Sequence, residues 1–186
     1  MRMSFPRIGA TGFALLLIGL VPLVAASRAL PPHRVALAGV PAPCPLLEGK
    51  VVGIQDGDTI TLLDSSKHSY RIRLLGIDAP EKHQPFGKVA KQVLSERVFG
   101  KQIQVMTKGR DRYGRTLGKL LLDGSDINLE MVRHGLAWFY QHYAGTQFRG
   151  DASLYAGAQK RAQQEQGGLW AYPDPIEPWE WRKTRR

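Results

Sequence analysis

Between Lys50 and Leu63, apolar and polar residues alternate along two short runs. These are Lys50-Val51-Val52-Gly53-Ile54-Gln55 and Asp58-Thr59-Ile60-Thr61-Leu62-Leu63, parted by Asp56-Gly57. A period of two sends successive side chains to opposite faces, so the runs demand strands with one buried face. An Asp-Gly pair between such runs predicts a hairpin with a two-residue type I′ turn, in which glycine takes a positive φ. The same patterning predicts a third strand over Ser69–Leu75 and further strands over Gln102–Thr107 and Arg115–Leu122.

Helical spacing interrupts the strands at Gly87–Phe99, where Val89, Val93, Leu94 and Val98 fall on one face. It returns at Ile127–His134 and Ala152–Gln166. Short antiparallel strands with a helix between the third and fourth predict an α+β fold, a five-stranded OB-type β-barrel with about three packed α-helices. The last stretch holds three of the four Trp, and its Pro173, Pro175 and Pro178 argue for an extended aromatic strap packed on the domain. The basic end from Arg182 to Arg186 is expected in solvent, within reach of phosphates.

The start of the chain has a different character. Arg2 and Arg7 precede an apolar run from Gly12 to Leu23, and Val24-Ala25-Ala26 supplies small residues at a cleavage position. Residues 1–26 read as a secretory signal peptide, so the protein is expected to be secreted or periplasmic. An uncleaved N-terminal membrane anchor is the alternative. Residues 27–45 are a proline-rich linker, 46–172 the folded domain and 173–186 the tail. The lone Cys44 has no internal disulfide partner and reads as a free thiol. The whole chain of 186 residues carries a formal +10, and losing residues 1–26 removes two Arg and no acid. The remaining +8 belongs to the mature chain and favours a polyanionic partner.

Several kinds of chemistry are excluded by missing parts. There is no G-x-x-x-x-G-K-[ST] loop and no G-x-S-x-G elbow, and the five His lack zinc spacing. Asp56-Gly57-Asp58 begins like an EF-hand loop, but the bidentate-Glu position falls on Lys67. What remains is a set of carboxylates and arginines at strand ends: Asp58, Arg73, Asp78, Glu81 and Arg115. Five residues separate Arg73 from Asp78, which would oppose them in a regular strand. Gly76 invites a kink that turns Asp78 back towards Arg73. Two Asp without neighbouring His or Cys suit a hard cation such as Ca²⁺. Two Arg suit a phosphate gaining charge in a transition state, and Glu81 can take a proton from water. Spacing alone leaves open that these acids merely cap turns.

Three stretches carry a resemblance: Asp56-Gly57-Asp58-Thr59, Ile72-Arg73-Leu74-Leu75-Gly76-Ile77-Asp78-Ala79-Pro80-Glu81 and Asp111-Arg112-Tyr113-Gly114-Arg115. In this order and spacing they resemble the staphylococcal-type thermonuclease (micrococcal nuclease) family, and the likeness continues to Trp181. The resemblance implies a Ca²⁺-dependent, sugar-nonspecific endonuclease that cleaves single-stranded DNA and RNA to 3′-phosphate ends. By the same resemblance, Asp58 and Asp78 are metal carboxylates and Ala79 lends the metal a backbone carbonyl. Glu81 is the general base, with Arg73 and Arg115 as phosphate clamps. Arg112 and Tyr113 hold the neighbouring phosphate, and Tyr143 stacks on a base. A monomer without an obligate protein partner is expected. The chain departs from the best-known member at Ala79, where that protein has Thr, at Gln141, where it has a stacking Tyr, and in a shorter segment after Glu81.

A rival reading is an OB module that binds nucleic acid without turnover. The complete set of Asp58, Arg73, Asp78, Glu81 and Arg115 favours the enzyme. A basic, membrane-anchored structural protein is the third reading, tied to an uncleaved N-terminus.

Overall fold

The computed structural model describes residues 45–184. The signal segment, the linker up to residue 44 with its Cys44, and the last two arginines lie outside the described residues. Five strands form the barrel: β1 (Leu46–Ile54), β2 (Thr59–Leu63), β3 (Ser69–Leu74), β5 (Gln102–Arg110) and β6 (Thr116–Leu122). Order β3-β2-β1-β5-β6 is closed by a parallel pairing of β3 with β6, Arg73 opposite Leu117. Closure removes the exposed sheet edges that an open sheet would present. Two short pairs complete the strands: β4 (Ile77–Asp78) against β8 (Trp138–Phe139), and β7 (Ser125–Asp126) on the edge of β6.

Alternation works as expected in β1 and β3. Val51, Ile72 and Leu74 point into the barrel while Lys50, Val52 and Arg71 face out. Helix α1 (Gly87–Val98) packs on β1, α2 (Ile127–Arg133) on β6, and α3 (Asp151–Gln164) on α2. Their buried side chains, among them Leu94, Val98, Ile127 and Tyr155, join Val51, Ile60, Leu62 and Leu120 in a single core. The α1 stripe differs from expectation. Ala90 is buried with Leu94 and Val98, whereas Val89 is exposed. The small Ala90 faces Gly57, where any side chain would collide with both Ala90 and Ala79.

That close approach also corrects the hairpin. Gln55 N–H donates to the carbonyl of Thr59, and Asp58 N–H donates to Asp56 Oδ1 across an Asx turn. Gly57 is not among the residues of positive φ, so the type I′ turn is absent. Glycine is needed there for packing room, not for its dihedral freedom. A second correction concerns the tail. Pro178 begins helix α4 (Pro178–Lys183), standing in its first turn, where proline's missing N–H costs no hydrogen bond. Among the described residues no helix is long and apolar enough to cross a membrane.

Candidate active site

Four devices bring the predicted carboxylates together. Gly76 takes φ +80, which reverses the chain after β3, and its carbonyl accepts from Tyr140 N–H. The β4–β8 pairing then fixes Asp78 opposite Trp138. Buried Asn128 donates to the carbonyls of Leu75 and Gly118 and accepts from Leu120 N–H, which ties the same turn to β6. Finally, Gly87 lets the start of α1 press on the Glu81 backbone, because a Cβ there would overlap the Glu81 carbonyl. Glu81 N–H donates to Gln84 Oε1, and the Gln84 side chain reaches on to the carbonyl of Ile176.

The result is one group built around Arg73. Its Nη1 donates to the carbonyls of Leu74 (2.7 Å) and Ile77 (2.8 Å). Its Nη2 pairs with Asp78 Oδ1 at 2.8 Å and Asp58 Oδ2 at 3.1 Å. Asp58 and Asp78 are buried, and Ala79 N–H donates to Asp58 Oδ2 at 2.7 Å. The kink anticipated at Gly76 therefore does turn Asp78 to the Arg73 side. The η nitrogens of Arg73 thus make three hydrogen bonds and an ion pair with Asp58.

A second group lies on the turn between β5 and β6. Asp111 accepts from the N–H groups of Tyr113 and Arg115 and from Arg115 Nε at 2.7 Å. Burial works against that carboxylate, but these hydrogen bonds win and hold its pKa below the ordinary value. Arg112 donates to the Tyr113 hydroxyl, and both guanidinium groups lie over the Tyr113 ring. The Arg115 carbonyl accepts from Asp111 N–H, and its side chain makes no other hydrogen bond among the described residues, so both of its η nitrogens remain available as donors. Thr116 pairs with Ile72, which places this turn beside Arg73 at the closure of the barrel. No hydrogen bond or ion pair joins the two groups among the described residues. Tyr143 stands apart again, half exposed, edge-on to Tyr140 and His142.

Three participants were not anticipated. Arg182, expected in solvent, donates to Asp78 Oδ2 and to Glu81 Oε1, each at 2.7 Å. Trp179 stacks on Tyr140 with centroids 4.9 Å apart and planes 7° from parallel. Both come from α4, and the helix that carries them was masked in the sequence by its prolines. Asp56 is the third. Burial first, and then the charge of Asp58, push its pKa up to about 7.

The donor set fits a divalent cation. Burial and the Asp58 charge still leave the Asp78 pKa raised, even though two guanidinium groups pull it down. Asp58 and Asp78 are buried carboxylates that share one guanidinium, and all the donors are hard oxygens. Among the described residues no three His, Cys, Asp and Glu side chains converge into a cage. Two buried carboxylates alone would leave most of such an ion's coordination to water.

Comparison with known proteins sets the chain among nucleases. Residues 71–172 match the family model described as staphylococcal nuclease homologue. The chain is 44% identical over 137 residues to an uncharacterised endonuclease of Haemophilus influenzae, covering 74% of each chain. It is 40% identical over 172 residues to a micrococcal nuclease of Shigella flexneri, covering 88% of this chain and 95% of that one. A probable staphylococcal-like nuclease of rice is 43% identical over 117 residues, 63% of this chain and 34% of the rice protein.

Proposed function

The chain belongs to the staphylococcal nuclease homologue family, a hydrolase that acts as a nuclease on nucleic acid, and on that premise we propose a Ca²⁺-dependent endonuclease of single-stranded DNA and RNA. The observation that carries this reading is the pairing of buried Asp58 and Asp78 on one guanidinium with Glu81 at their rim.

Asp58, Asp78 and the Ala79 carbonyl would hold the cation. Bound there, it would neutralise a non-bridging phosphate oxygen and so lower the barrier to attack. Glu81 takes a proton from the attacking water as its oxygen bonds to phosphorus. The bond to the 5′-oxygen breaks, that oxygen is protonated from solvent, and a 3′-phosphate remains. Arg115 offers two open η nitrogens to the phosphoryl oxygens, a bidentate fit to charge that grows in the transition state. Arg73 holds the carboxylates in place and would share the phosphate's charge with Arg115. Arg112 and Tyr113 would hold a neighbouring phosphate and Tyr143 would stack on a base face, which gives binding without sequence readout. Export is part of the proposal and rests on the N-terminal sequence.

The test is cleavage of single-stranded DNA and of RNA with Ca²⁺, with chelator, and with Ca²⁺ restored. The expected result is cleavage of both polymers in Ca²⁺ alone, with ends that phosphatase converts to 3′-hydroxyls. Binding without cleavage under all three conditions would support the non-catalytic OB module instead.

A further inference from the structure

Arg182 reaches the carboxylates from 101 residues beyond Glu81 and 104 beyond Asp78. Asp78 Oδ1 is shared between Arg73 and Arg182, whereas Oδ2 accepts from Arg182. The Asp78 side chain is 1% exposed, whereas the Arg182 side chain that contacts it is 41% exposed. The two cations are held differently. Arg73 is fixed by two main-chain carbonyls and by both aspartates. Among the described residues the Arg182 side chain bonds to Asp78 and Glu81 alone, and its exposure gives its guanidinium water to move into.

We propose that Arg182 is a built-in competitor for the cation, so that a divalent ion binds by displacing its guanidinium from Asp78 and Glu81. This rests on the reading of Asp58 and Asp78 as cation ligands. The backbone of α4 need not leave. Trp179 is stacked on Tyr140 and edge-on to Trp138, and Ile176 is held by Gln84. The side chain therefore swings while its helix stays, and the released guanidinium remains at the rim, where a phosphate arrives. A divalent ion brings two charges to the carboxylates where the guanidinium brings one, while the apo site keeps its carboxylates paired. Glu81 is freed in the same step, so the base becomes available only when the cation is present.

Ca²⁺ titration calorimetry on the protein, Arg182→Gln, Lys183→Gln and Asp78→Asn tests this. Arg182→Gln should bind Ca²⁺ about tenfold more tightly, the factor expected if the open form is about a tenth of the molecules. Lys183→Gln removes the same charge one residue away, at a side chain paired with Glu180, and should leave the affinity unchanged. Asp78→Asn should weaken binding. Equal or weaker binding by Arg182→Gln overturns the competitor, as does equal tightening by Lys183→Gln, which would make net charge the cause. If Asp78→Asn binds like the parent, the ligand reading fails and the competitor with it.

Discussion

Around Lys119 the domain closes its charges on themselves; around Asp78 it leaves them open to exchange. Lys119 Nζ lies 2.8 Å from Asp151 and 3.8 Å from Asp126, and the Tyr155 hydroxyl donates to both oxygens of Asp126. Each carboxylate there also serves a helix. Asp126 caps α2 by accepting from Leu129 N–H, and Asp151 stands in the first turn of α3. At Asp78 the acids come from a strand end and a loop, and one of their two cations arrives on the last helix of the chain. Similar charges at similar depth thus serve two ends. Where every partner is a structural element, the group braces the fold. Where a partner is a long side chain with access to water, the group can take a ligand.

Substitutions separate the two regions, and the largest contrast comes from Arg115 and Lys119. Arg115→Ala should lower kcat by about 10²–10³-fold, the loss typical of removing a transition-state donor, with little change in thermal stability. Lys119→Met should do the reverse. It leaves buried Asp151 and partly buried Asp126 without their cation, at a cost of about 3–5 kcal/mol in denaturant titration, while the folded fraction keeps its kcat. Loss of activity at Arg115 that tracked loss of folding would erase the distinction.

Smaller effects sharpen it. Tyr155→Phe removes a buried donor to Asp126 and should cost about 1–3 kcal/mol. The Asp126 pKa is raised, chiefly by burial, against the pull of Leu129 N–H, Tyr155 and Lys119. The folded state therefore holds a proton that the unfolded chain releases near the ordinary value of 3.8. Stability from this group is present below that value and is lost as pH rises through the raised folded value. Asn keeps the cap and the acceptor for Tyr155 but does not titrate. The stability of Asp126→Asn relative to the parent should accordingly rise with pH across that window in melts at stepped pH. A flat difference would mean that Asp126 titrates normally.

Much of this was legible in residue order. The alternation of β1 through β3 announced the barrel, and Gly76 announced the turn that brings Asp78 to Arg73. Local pattern carried those features because strand period and backbone reversal are local physics. Gly57 was read rightly as a hairpin residue but for the wrong reason, since the need for room against Ala79 and Ala90 is created only by tertiary packing. The tail misled more. Three prolines suggested an extended strap, yet Pro178 opens α4, and that helix delivers Trp179 and Arg182 to the site. A contact between residues 78 and 182 has no signature in spacing, because it depends on how the chain end packs on Trp138 and Tyr140.

The central claim is that the Asp78 group performs chemistry and the Lys119 group does not. Single-turnover cleavage of single-stranded DNA by Glu81→Gln, at saturating Ca²⁺, tests it most directly. Gln keeps the size of the side chain and an acceptor for Arg182 but cannot take a proton from water. The rate should fall by about 10²–10⁴-fold, the range for removal of a general base, with an unchanged melting temperature. A parental cleavage rate in this variant would contradict the account.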